Sequence, residues 1–278
     1  MREAGKPAVA FSALVAAWTI ASPAHAAQTA RAAPAQPPGA ITIDAADGIE
    51  WQRNARLVIA RGNASARRGD TEVRADVLTA RYREKPDGSI DVSRVDADGT
   101  VRLTSPQQRA SGERGSYDID GGKLSLSGGG QKVSVTTASS EITAHERIDY
   151  DLAGKTLVAR GDALVVEGDR RLSGDLITIR FADDAKGRLQ PQRIEADGNM
   201  RMVTPGETII ADHGTYDTKD ELATASGSVQ ILQGSNRLSG CQVTMNLRTS
   251  VSRLTACPGE SGTSRVQGVI LPNTLKKN

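Results

Sequence analysis

The residues best able to do chemistry in this chain are its aspartates. They recur in "DADG" (96–99), "EADG" (195–198), "YDID" (117–120) and "YDTK" (216–219). Two carboxylates flanking a glycosidic bond, one protonated and one ionised, could cleave it. Here, however, aspartate before glycine and aspartate after tyrosine recur at the same places in the repeat. An Asx side chain bonded to nearby backbone serves a turn at such a place. Of the histidines, His25 lies near the N-terminus, and His145 and His213 stand singly in polar turns. Neither has a cysteine or carboxylate at metal-ligand spacing, so no metal site and no general base is expected. The sequence holds no G-x-S-x-G elbow, no H-E-x-x-H and no phosphate-binding loop. The triplets Arg61-Gly62-Asn63, Arg68-Gly69-Asp70 and Arg160-Gly161-Asp162 suggest adhesion, but they sit at strand-to-turn junctions and are discounted. No catalytic residue and no cofactor is therefore assigned.

What positions these residues is a repeat. "IARGNASARRGD" (59–70) lies over "VARGDALVVEGD" (158–169), an offset of 99. "VDADGTVRL" (95–103) over "IEADGNMRM" (194–202) and "GSYDIDGG" (115–122) over "GTYDTKDE" (214–221) keep the same offset. A shorter match joins "GDALVVEGDRRLSGD" (161–175) to "GSVQILQGSNRLSGC" (227–241). Unit starts fall near Gly62, Gly99, Gly129, Gly161, Gly198 and Gly227. Each unit holds short strands of period two, rich in β-branched residues, between polar turns. One unit cannot bury its own apolar face, so neighbours must stack.

The expected fold is all-β: repeated antiparallel hairpins forming an elongated, twisted, slightly open jelly roll, with a parallel β-helix or curved sandwich as other ways to stack strands. The alternation predicts an inward row of Ala64, Ala66, Val101, Leu103, Val133, Val135, Ala163, Val165, Met200, Met202, Val229 and Ile231. Arg102, Ser134, Arg201 and Gln230 fall on the opposite row. With aromatics at only 3%, that inner row must be aliphatic. It could pack tightly, or it could line a slot for alkyl chains.

The ends differ from the repeat. "MREAGK" is basic, "PAVAFSALVAAWTIA" is apolar but short for a membrane span, and Ala24-His25-Ala26 is an A-x-A cleavage pattern. Residues 1–26 are expected to be a signal peptide. Residues 27–40, rich in Ala, Pro and Gln, are expected to be a disordered leader, 41–257 the repeat domain, and 258–278 a flexible basic tail. Removing Arg2, Lys6 and Glu3 with the signal takes the net charge from +2 to +1, which gives no argument for nucleic acid. Cys241 and Cys257 are the only cysteines. In an exported chain they can form one disulfide near the C-terminal end, or remain as two thiols.

"IEWQRNARLVIARGNASARRGDTEVRADVLTARY" followed by "VDADGTVRLTSPQQRASGERGSYDID" resembles the LptA/OstA-like family of lipopolysaccharide transport proteins of Gram-negative bacteria. The resemblance runs from about Ile41 to Leu254. It rests on the ordered recurrence of a "TVRL"-type strand, a strand ending in Tyr-Asp, and an "RLSGD"-type strand. It implies a non-enzymatic, periplasmic jelly roll that shields lipid A acyl chains. Such a protein would associate head to tail and bridge an LptC-like inner-membrane partner to an LptD-like outer-membrane partner. Two other members of the system are compatible: an LptC-like protein, which keeps its N-terminal segment as an anchor, and the N-terminal part of an LptD-like protein, which continues into a barrel. The A-x-A site and the chain's end near residue 278 disfavour them. A reading from a different class is a β-helix polysaccharide-degrading enzyme, which needs a cluster of acids on one face.

Overall fold

The computed structural model describes residues 40–249, 251–257 and 265–270. The expected signal peptide, most of the leader, and 258–264 and 271–278 of the expected tail lie outside the described residues. Within them the chain is all-β, a single sheet of eighteen strands.

Those strands make fourteen rungs, because four rungs are each split in two. The first rung is β1 (Thr42–Asp44) with β2 (Gly48–Gln52). Then come β3 (Leu57–Arg68), β4 (Thr71–Glu84), β5 (Ile90–Thr104) and β6 (Gln108–Asp118). Two split rungs follow: β7 (Lys123–Ser127) with β8 (Val133–Thr137), and β9 (Ser140–Ala144) with β10 (Arg147–Asp151). Six continuous rungs come next: β11 (Thr156–Glu167), β12 (Arg170–Asp183), β13 (Leu189–Val203), β14 (Thr208–Asp217), β15 (Leu222–Gln233) and β16 (Asn236–Asn246). β17 (Val251–Thr255) with β18 (Gln267–Val269) closes the stack. Successive rungs pair antiparallel throughout, so the fold is a jelly-roll meander and not a parallel β-helix. β18 falls inside the segment expected to be a loose tail. Its three residues instead pair with Arg237–Ser239 of β16.

The strands are longer than the short ones expected, because the repeating glycines lie inside strands and do not begin them. Two successive residues take the left-handed conformation mid-strand: Gly62-Asn63, Gly99-Thr100, Gly161-Asp162, Gly198-Asn199 and Gly227-Ser228. The ladder slips at each, for example between Arg160 and Ala163 of β11. Such a bulge bends the strand and raises its local twist. Glycine takes the first position without a Cβ penalty, and the second is mostly a short polar residue that tolerates positive φ. Stacked bulges form a crease that divides every rung into two halves. The halves make two walls facing each other across the core.

A carboxylate on the preceding rung covers each crease glycine. The pairs are Asp47 with Gly62, Asp76 with Gly99, Glu113 with Gly129, Glu146 with Gly161, Asp175 with Gly198 and Asp212 with Gly227. A Cβ on any of these glycines would collide with the acid. Asn199 Nδ2 also donates to Asp175, at 3.0 Å from Oδ2. In the last rung the crease is closed differently. Cys241 follows "RLSG" as Asp175 does, and it is disulfide-bonded to Cys257.

The aliphatic core falls into two clusters. The larger centres on Ile142, Ile177, Ile179, Met200, Ile209 and Val243. The smaller, in the N-terminal half, is Ala60, Ala64, Ala75, Leu78, Ala97 and Val101.

Candidate functional site

The candidate site is the aliphatic interior between the two walls. Of the inward row expected from alternation, Val101, Val133, Ala163, Val165, Met200, Val229 and Ile231 are buried, as is Ala64. Leu103, Val135, Met202 and Ala66 are half-buried. Arg102 and Arg201 are exposed on the outer face, and Ser134 and Gln230 are half-buried there.

All of that inward row lies on one wall, the half of each rung after the crease glycine. The facing wall was not read from the sequence. It is built from Ile148, Leu157, Ile177, Ile179, Ile194 and Tyr216, among others. The reason is a change of phase. In β12 the inner residues run Leu172, Gly174, then Ile177 and Ile179, with Asp175 and Leu176 both intervening. In β14 they run Ile209, Ala211, then Gly214 and Tyr216. A strict period of two therefore loses register at the crease acid. The acid itself was the available signal.

Polar groups gather along the crease on the outer surface, where His145, Glu146, Arg160, Asp162 and Asp175 line one surface pocket. Each crease carboxylate faces its own glycine. His145, between β9 and β10, lies 3.2 Å from the Asp162 carboxylate, and both are exposed. His213 lies within β14, not in the turn expected for it, and its Nδ1 is 3.0 Å from Asp197. Each of the two histidines thus has one carboxylate neighbour. Among the described residues no group of three potential metal ligands comes together. The "DADG" aspartates belong to outer-face ion pairs, with Arg94 binding Asp96 and Arg114 lying 3.8 Å from Asp98, and the "EADG" aspartate is the Asp197 beside His213. Buried apolar surface, worth about 25 cal/mol per Å² removed from water, is what this interior offers a ligand.

The two ends of the stack are open edges. Ile49 and Trp51 of β2 are 51% and 55% exposed, and Val251 and Val269 at the other end are each 60% exposed. Trp51 donates from Nε1 to the Tyr82 hydroxyl at 2.6 Å, which fixes the indole at the first edge.

A family model described as LptA/(LptD N-terminal domain) LPS transport protein matches residues 42–153 and 208–273, well over half of the chain. The chain belongs to this family. The unmatched stretch 154–207 is, by the offset of 99, the second copy of 55–108 in this LptA/LptD-type chain. Among solved structures, one similar chain is LptH from Pseudomonas aeruginosa, described as the LptA homologous periplasmic component of the conserved lipopolysaccharide transport device. It is 17% identical, with a TM-score of 0.40 over 48% of this chain and 95% of LptH. No curated protein sequence matches the chain.

Proposed function

We propose that this LptA/LptD-family chain is a periplasmic carrier that shields the acyl chains of lipopolysaccharide between its two walls. The observation that carries this is an aliphatic interior running through the rungs of a stack open at both ends, in a family of lipopolysaccharide transport proteins. A multi-acyl lipid cannot cross water freely, since each exposed CH₂ costs about 0.8 kcal/mol. A wall of aliphatic side chains removes that cost. Residues 1–26 act as the export signal, 27–40 as a leader and 41–257 as the carrying roll. The function requires no catalysis, metal or cofactor.

Open edges are normally an aggregation hazard. Here β1/β2 at one end and β17/β18 at the other would dock by strand addition. The partners are an LptC-like inner-membrane protein, an LptD-like outer-membrane protein, and further copies of this chain head to tail. The apolar side chains exposed on β2 and β17 support this use.

Binding of intact lipopolysaccharide and of its deacylated oligosaccharide to the purified chain tests the carrier function. Binding of the acylated form alone is expected. Equal binding of both, or binding of the sugar alone, would overturn it.

A further inference from the structure

The two copies related by the offset of 99 occupy matched positions but differ in how they fill the interior. Ala66, Ala80 and Ala110 of the first copy become Val165, Ile179 and Ile209 in the second. The larger residues are 4%, 1% and 1% exposed, whereas the three alanines are half-buried. Val95 is half-buried and its counterpart Ile194 is buried. Smaller side chains that are nonetheless more exposed show that the first copy covers its interior less completely than the second. Nearness to the end accompanies the difference at Ala66 and Ala80, on the second and third rungs, but not at Ala110: β6 is the fifth rung from one end and β14, which carries Ile209, the fourth from the other.

The outer lip differs in the same sense. Around the free edge of the first copy, residues 64–75 and 100–112 hold Arg67, Arg68, Arg74, Arg102 and Arg109 against Asp70 and Glu72, a net +3. The matched residues 163–174 and 199–211 hold Arg170, Arg171 and Arg201 against Glu167, Asp169 and Glu207, a net of zero. Arg74 and Arg102 stand directly opposite each other in register, a destabilising like-charge pair. Glu72 binds Arg67 and Arg74, at 3.0 and 3.1 Å. Arg102 and Arg109 make no ion pair among the described residues.

We infer that the first copy is the acyl-binding half and the second a self-filled half. The acyl chains lie against the alanine-lined interior, and the phosphate groups of the same lipid rest on the arginine lip. This deepens the carrier function proposed above and rests on it. Charge complementarity identifies the occupant, because a phosphorylated, multi-acyl lipid satisfies both the apolar space and the unpaired guanidinium groups at once.

Photo-reactive residues placed at Ala66 and Ala110, and separately at Val165 and Ile209, in the full chain with lipopolysaccharide test the assignment. Several-fold more adduct at the first pair is expected. Equal adduct at both pairs would overturn the inference and leave the carrier function standing. Adduct at neither would overturn both. Arg74→Ser with Arg109→Thr tests the lip, and the second copy already folds with Ser173 and Thr208 at these places. This variant should bind lipopolysaccharide several-fold more weakly while binding the dephosphorylated lipid as before. Unchanged binding, or the same loss for both lipids, would remove the lip from the proposal.

Discussion

Cys241 meets Cys257 across the last crease at a Cα–Cα distance of 4.8 Å, in the place where Asp175 meets Gly198 four rungs earlier in the same "RLSG" context. A covalent bond has replaced a carboxylate–glycine contact where the rung is least supported. β17 and β18 are short, and among the described residues no further strand pairs beyond them in the sheet. The bond joins residues 16 apart. On the chain-entropy account, closing a loop of that size stabilises by about 3 kcal/mol. Reduction, or Cys241→Ser, should lower the stability measured by urea denaturation by an amount of this order. The double change Cys241→Asp with Cys257→Gly rebuilds the pair used elsewhere and should recover part of the loss. Recovery no better than Cys241→Ser would show that the two devices are not equivalent.

The crease glycines bear the bend. Gly198 has φ 72° and faces the Asp175 carboxylate. Gly198→Ala brings in both an unfavourable backbone conformation and a collision, a loss of about 1–3 kcal/mol. Gly206 lies in a turn where a Cβ meets nothing within 4 Å and φ is not left-handed. Gly206→Ala is therefore the control, expected to stay within about 0.5 kcal/mol of the parent. Equal effects of the two substitutions in chemical denaturation would contradict the role given to the crease.

Much of this was legible in the sequence, and the part that was not has a physical cause. The all-β class, the stacking and the rows Val101/Leu103 and Val229/Ile231 follow from period-two alternation behind each glycine. The second wall does not, since in β12 and β14 the phase changes at Asp175 and Asp212. The glycines themselves invite the reading of strand ends, because glycine usually marks turns. A pair such as Gly161-Asp162 inside a twelve-residue strand becomes visible only when Glu146, on the rung before, is seen lying over it. The disulfide was open in the sequence because two thiols do not declare their spacing in space.

The second-copy core should be the stability centre. Ile177 and Ile179 are 0% and 1% exposed. Ile177→Ala should cost about 2–5 kcal/mol, with the cost set by how far the cavity collapses. Leu103→Ala, at a half-buried position in the open half, should cost less. A thermal unfolding series in which Leu103→Ala is the more damaging change would contradict the division into a filled and an open half.

Glu195 supplies a pH dependence. It lies between Arg193, whose Nε is 2.7 Å from Oε1, and Arg180, and those two arginines oppose each other directly in register. The hydrogen bond from Arg193 is the largest cause that holds its carboxyl below the ordinary value of 4.5; burial opposes it, and the hydrogen bond from Arg180 and the charges of both arginines add to the lowering. A lowered folded-state value means that the stabilisation is present above pH 4.5 and is lost as the pH falls through the folded value. Glu195→Gln should flatten the acid limb of the stability curve and leave it nearly unchanged in slope above pH 5. An unchanged acid limb would show that this pair contributes nothing.

The central claim is that lipid sits between the walls, and photo-crosslinking from one inner and one outer residue measures it most directly. Leu103 faces inward in the open half, and Arg81 is exposed on the outer face. A photo-reactive residue at Leu103 should capture lipopolysaccharide in cells, and one at Arg81 should not. Capture at Arg81 with none at Leu103 would contradict the account.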